Sequence, residues 1–292
     1  MTVIAAEQPE PRRYRSLLLE NRKFLTGMII VLTLIVLSAV GTYWLETGGR
    51  TSGSLPARQP PGEGMLLGTD ALGRSIASQM SEAMPNSLQI GLIAASLGTL
   101  IGALVGFASG YFGKAVDALL RVLIDVFLSV PSLLFLILIA SVLRGVGVQT
   151  MALIIGLFAW AWPARQVRAQ VLSLKERAFV QIARLSGMSG LEIIFRELMP
   201  HMLPWLGANF VNAFIAAVLA ESGLSILGLG PQQEMTLGMM IYWSLSYGAI
   251  LQNLWWWWVT PVFTLIALFL ALYLIHIGLE EVSNPRLRRQ EA

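Results

Sequence analysis

The chain has 292 residues, of which 55% are hydrophobic and 13% charged, with a mean hydropathy of +0.68 and a net charge of +3. A soluble domain carries about 25% charged residues, so this composition belongs to lipid, and the length suits one domain of several membrane-spanning helices. There is no cysteine and there are only two histidines, His201 and His276, which excludes a disulfide framework, thiolate chemistry and a His-rich metal site.

Residues 1–23 form a polar tail carrying Arg12, Arg13, Arg15, Arg22 and Lys23. Residues 24–44 are then apolar over about 21 positions, close to the ~20 that cross a hydrocarbon core. A cleaved signal peptide has a shorter apolar region, about 7–15 residues, with a small-residue cleavage site after it, so this run reads as a retained first span. Residues 45–86 make an external connection rich in Gly and Pro. Within it Asp70 is placed to cap a short helix from Ala71 to Met84, which Pro85 ends.

Residues 87–110 form the second span. Gly98, Gly102, Gly106 and Gly110 recur at every fourth position, lining one face where another helix backbone can approach. Residues 119–143 form the third span, and Pro131 is expected to kink it. Asp117, Arg121 and Asp125 share a face at its start and read as an Asp–Arg–Asp ladder near the interface, since unpaired charge in lipid is expensive. Residues 150–163 are a short fourth span closed by Pro163.

Residues 164–204 are the longest polar interruption between apolar runs. Val171, Leu174, Ala178, Ile182 and Leu185 recur at helical spacing. Gly187, Ser189 and Gly190 then read as a stop and a new N-cap. Leu191, Ile194, Leu198 and Met202 stripe a second short helix, limited by Pro200 and Pro204. A surface hairpin without a partner and a docking element gripped by a soluble protein both fit these residues.

Residues 203–227 form the fifth span, which carries Asn209, Asn212 and Glu221. An isolated carboxylate at the depth of Glu221 is costly, so it either faces a solute path or is hydrogen-bonded to a neighbouring helix. Residues 228–254 are a second external connection. Residues 255–278 form the sixth span, opened by Trp255 to Trp258, whose rings suit the headgroup layer as do Tyr43 and Trp44. Residues 279–292 are a polar tail.

Six spans put both termini on one side. Of the 20 Lys and Arg residues, all but Arg50, Arg58, Arg74 and Arg144 then share that side, which the positive-inside bias makes the cytoplasm. No GxxxxGK[ST] phosphate loop occurs, so ATP is not expected to bind this chain. The absence of an internal repeat argues against an inverted-repeat secondary transporter. An intramembrane hydrolase using Ser225 and His276 fails on distance. About 20 helical residues at ~1.5 Å each separate them by roughly 30 Å, whereas a catalytic hydrogen bond needs about 3 Å.

Gln181-Ile182-Ala183, Gly187 and Met199-Pro200 together resemble the EAA loop of ABC importer permeases: Glu-Ala-Ala, three residues, Gly, nine residues, then Ile-x-Leu-Pro. Ala183, Gly187 and Pro200 keep the pattern, while Gln181, Ile182, Glu197 and Met199 depart from it. Further stretches resemble the dipeptide/oligopeptide/nickel branch, and within it the second permease subunit. They are Leu67 to Arg74, Asp125 to Pro131, Arg165-Gln166-Val167-Arg168, Ala220 to Gly230 and Asn284-Pro285-Arg286.

That resemblance implies an all-α membrane protein of the type I ABC importer permease fold, with six transmembrane helices and a cytoplasmic EAA coupling loop. It implies a prokaryotic plasma (inner) membrane location, a homologous second permease, two ABC ATPase subunits holding ATP and Mg, and an external solute-binding protein. No catalytic residue, metal, cofactor or nucleic-acid partner is expected on this chain. ATPase contact is expected around Gln181, Ala183, Arg184, Gly187, Met188, Ser189, Gly190, Leu191, Glu192 and Pro200, and a bulky residue at Gly187 is expected to uncouple it. Gln181 in place of Glu removes a charge from that contact. Asn209, Asn212 and Glu221 are the candidate substrate path, for peptides or oligosaccharides.

Overall fold

The computed structural model describes residues 17–44, 49, 51–62, 64–143 and 145–283, with the side chains of 42–44 left aside. Most of the N-terminal tail, the Asn284-Pro285-Arg286 tail, Arg50, Arg144 and the Tyr43 and Trp44 rings therefore lie outside the described residues. Ten helices are named here: α1 Arg22–Trp44, α2 Ile76–Phe112, α3 Lys114–Ser129, α4 Ser132–Val142, α5 Val148–Phe158, α6 Ala161–Leu174, α7 Ala178–Leu185, α8 Gly190–Ile226, α9 Leu237–Ser246 and α10 Trp255–Ser283. No β-sheet forms among the described residues.

Helix α2 is the mast of the bundle. Its side chains enter the apolar clusters shared with α1, α8 and α10, with α5 and α8, with α6 and α7, and with α3. It begins earlier than the expected span and passes straight through Pro85. The proline has no N–H, so the Ser81 carbonyl one turn back loses its helical donor. Ser38 of α1 supplies an O–H instead, at 3.0 Å. A proline is tolerated in a packed apolar helix when a neighbour satisfies the freed group. The N-cap is Ser75, whose side chain accepts from the Ser78 N–H. Asp70, expected to cap a helix, instead accepts N–H groups from Leu72 and Arg74 and the Arg74 guanidinium at 2.7 Å.

The four-residue glycine stripe packs α2 on α6. A Cβ built on Gly98, Gly102, Gly106 or Gly110 would fall 2.9, 2.7, 2.6 or 2.8 Å from Ala159, Pro163, Val167 or Val171, so only glycine permits this approach. A second close crossing joins α1 to α10, where Gly278 abuts Phe24, and Lys23 pairs with Glu281 at 2.6 Å.

Among the described residues four helices are long and apolar enough to cross a membrane, in α1, α2, α8 and α10, and the bent pair α3 and α4, taken as one span, makes a fifth. That pair is bent by 74° across Val130 and Pro131, the kink expected of Pro131. The fourth span expected at residues 150–163 is not one helix. Helix α5 has 11 residues, about 16 Å at 1.5 Å per residue, against a core of about 30 Å. After Ala159 and Trp160 the chain continues as α6, which carries Arg165 and Arg168.

Three further expectations change. The stripe from Val171 to Leu185 is divided between α6 and α7, because the helix ends at Leu174 and restarts at Ala178; Val180 and Ala183 are buried while Ile182 and Leu185 are exposed. Pro200 and Pro204 do not limit a short helix, since α8 runs through both. A π-helical stretch, Ile193–Leu198, lies one turn before Pro200 and shifts the hydrogen-bond ladder where the proline cannot extend it. The tryptophans divide as well. Trp255 is exposed, Trp257 is fully buried, and buried Trp256 donates its indole N–H to the Thr69 carbonyl at 3.1 Å.

Candidate functional site

Helix α7 ends in a Schellman motif centred on Gly187. The Met188 N–H reaches the Ala183 carbonyl at 3.2 Å and the Gly187 N–H reaches Arg184 at 3.0 Å, with Gly187 at φ +81°. Among the described residues no other group lies within 4 Å of where its Cβ would sit, so the constraint at Gly187 is backbone sign and not space. Two residues later Ser189 opens α8 through a capping box: its hydroxyl accepts from the Glu192 N–H and the Glu192 carboxylate accepts from the Ser189 N–H at 2.9 Å. The two caps make a tight, defined corner between α7 and α8.

The corner is seated from below and bare above. Gly190 rests against the Tyr111 ring, and the Arg184 guanidinium lies 5.4 Å over the same ring. Ala183 is buried and Met188 half-buried among Phe107, Val167, Val180 and Ile194. His201 stacks on Phe179 at 4.4 Å. Gln181, Arg184, Ser189, Leu191, Glu192 and Pro200 are exposed, and so are Leu185 at 88% and Phe195 at 53%. The Gln181 side chain makes a long 3.4 Å contact with the Lys175 carbonyl.

Beneath the corner, charge is paired between helices and not along one. Arg168 grips Asp117 with two bonds of 2.6 and 2.7 Å, and the Ser109 hydroxyl adds a third to the same carboxylate. Arg165 bonds Asp125 at 2.6 Å, while Arg121 stands 3.7 Å from it. The expected ladder along α3 is thus largely replaced by α3–α6 pairs. The partners were both visible, as Asp117 and Asp125 two turns apart and Arg165-x-x-Arg168, but nothing local joined them.

Where α3 and α4 bend apart, a cavity of about 550 Å³ opens between them, α5, the start of α6 and α8. Phe127, Pro131, Phe158 and Trp162 form its aromatic and proline side, and alanines of α8 with Asn209 and Asn212 form the other. Asn209 donates to the Trp205 carbonyl at 3.1 Å. Glu221 is one residue beyond the wall-forming Ala220 yet does not reach the cavity. It is fully buried and accepts hydroxyl bonds from Thr236 at 2.6 Å, Ser225 at 2.7 Å and Ser222 at 3.4 Å. Of the two arrangements expected of Glu221, these bonds match the second: its carboxylate ties α8 to the start of α9. Among the described residues no group of three His, Cys, Asp or Glu side chains gathers to hold a metal ion.

The family model described as binding-protein-dependent transport system inner membrane component matches residues 98–289. A Brucella abortus protein with a peptide transport system permease name is 34% identical over 94% of this chain and 91% of its own length. The dipeptide transport system permease protein DppC of Bacillus subtilis is 31% identical over 92% of this chain and 84% of its own. Among solved structures, an inward-facing conformation of the MetNI methionine ABC transporter shares the fold at a TM-score of 0.52 and 21% identity. That likeness covers 68% of this chain and 91% of the matched one.

Proposed function

The chain belongs to the family of binding-protein-dependent transport system inner membrane components, permease subunits of ABC importers whose ATP hydrolysis resides on separate subunits; from that premise we propose that it is half of a peptide-conducting pore, turned by the corner at Gly187. The observation that carries the reading is the continuity of α8, which starts in the exposed corner and becomes the wall of the cavity. From Gly190 to Asn212 is about 33 Å of helix at 1.5 Å per residue. Displacement at one end is delivered at the other because a packed helix moves as a body.

In this reading a second, homologous permease completes the pore, and one of two ATPase subunits grips the Leu185, Leu191 and Phe195 surface of this half. An external binding protein delivers the peptide. The Gly187 end and both termini face the cytoplasm, supported by the side on which Lys and Arg concentrate. Peptide is preferred to oligosaccharide because the relatives carry peptide-transport names. ATP binding on the partner subunits drives the corners together and biases two discrete arrangements of the bundle, inward- and outward-facing.

The test is chemical at one backbone position. A β-branched residue at φ +81° is strained, whereas Asn tolerates the left-handed region. In a reconstituted importer, Gly187→Val is expected to keep hydrolysing ATP while peptide uptake falls at least about tenfold, and Gly187→Asn to recover most of it. Uptake by Gly187→Val at the wild-type rate would remove the corner from the mechanism.

A further inference from the structure

Three ionisable side chains lie within two residues of positions that line the 550 Å³ cavity, and none of them is on its wall. Glu221 follows Ala220 but turns toward Ser225 and Thr236. Asp125 precedes Phe127 and Arg165 follows Pro163, and those two neutralise each other at 2.6 Å. What remains on the wall is apolar surface, Ser132 and two carboxamides one helical turn apart, Asn209 and Asn212. Asn209 is nine-tenths buried, and its Nδ2 is committed to the Trp205 carbonyl, which leaves its Oδ1 as an acceptor. Asn212 is exposed and lines the cavity, and its side chain makes no hydrogen bond among the described residues.

The geometry points to a wall that recognises the main chain of a passing peptide and disregards the charge of its side chains, with the Asn209 Oδ1 and the Asn212 carboxamide as the hydrogen-bonding partners. The inference rests on the peptide-pore reading above and specifies what that pore contacts. A peptide leaving water must pair its amide N–H and C=O groups or lose the free energy of their hydration. A carboxamide offers a donor and an acceptor together, so Asn212 matches a peptide unit in either chain direction. A fixed charge on the wall would trap peptides of one sign and repel those of the other, because Coulomb attraction is strong where water is excluded. Neutral amides hold every peptide equally and weakly enough to release it.

The experiment uses the complete importer in proteoliposomes, with its binding protein saturated by trialanine, Ala-Glu-Ala or Ala-Lys-Ala, and reads initial uptake. The quantity compared is the Ala-Glu-Ala to Ala-Lys-Ala ratio in a variant divided by that in the wild type, so preferences of the binding protein and the other permease cancel. Asn212→Asp is expected to lower this quotient at least about tenfold, and Asn212→Lys to raise it by a similar factor. Asn212→Gln, which keeps the carboxamide, is expected to leave it near one. Asn209→Ala is expected to slow all three peptides alike, by roughly threefold to tenfold. A quotient near one in both Asn212→Asp and Asn212→Lys, each assembled and importing, would overturn the inference while leaving the peptide pore standing. A wild-type importer that moves none of the three peptides would overturn the pore reading and this inference with it.

Discussion

The two ends of the bundle solve opposite problems. At the Glu221 end, Thr69, Asp70, Ser87, Glu221, Ser225 and Thr236 are all fully buried, and each finds its hydrogen-bond partner inside the chain. The Asn86 amide donates to the Met235 carbonyl and Glu82 accepts the Met235 N–H, so the segment before α9 is stitched to α2. At the Gly187 end the polar groups are largely exposed, and the corner presents Ile182, Leu185, Leu191 and Phe195 to the outside. The six polar groups named at the first end are settled within the chain, whereas the uncovered apolar groups of the corner fit a surface that meets a partner. Rigidity is placed at the Glu221 end and contact at the Gly187 end.

The largest expected effect lies at the closed end. Glu221→Ala leaves the Thr236 and Ser225 hydroxyls buried without their shared acceptor, and is expected to cost about 2–3 kcal/mol of stability, whereas Glu221→Gln keeps an acceptor and costs less. Unfolding of the detergent-purified protein measures both; equal losses would mean that the carboxylate is not the organising acceptor.

Arg168→Ala probes the Gly187 end in the same way. The Arg168–Asp117 pair is about four-fifths buried on both sides, and breaking it is expected to cost about 1–2 kcal/mol, intermediate between a surface pair and a buried one. A loss as large as that of Glu221→Ala would show the Gly187 end to be as closed as its opposite.

Leu185→Ser should change stability least, by less than about 0.5 kcal/mol, since the side chain is 88% exposed. Its expected effect is on assembly: ATPase subunits retained on the purified permease should fall at least about tenfold, as for a central interface anchor. Undiminished retention would leave the exposed apolar corner without its assigned partner.

Much of this was legible along the chain. The α2 glycines announced a close helix approach, and Pro131 announced the bend that opens the cavity. Gly187 followed by Ser189 announced a stop and a cap, because Schellman and capping-box geometry involve residues only a few positions apart. Pro85, Pro200 and Pro204 read wrongly for the converse reason. A proline's local effect is to end a helix, and what overrides it is a donor from another helix, as Ser38 does for Ser81, or a shift in the ladder, as Ile193–Leu198 makes before Pro200.

The amino-acid order by itself determined that this is a lipid-embedded helical chain with a defined polar corner, since apolar length and cap chemistry are properties of short windows. Helix packing settled the rest: Glu221 serves α9 and not the cavity, Arg165 and Arg168 answer the aspartates of α3, and two asparagines are the polar groups α8 presents to the cavity. Each of those outcomes depends on which helix stands opposite, and a buried charge or hydroxyl takes whatever partner the packing brings within hydrogen-bond reach.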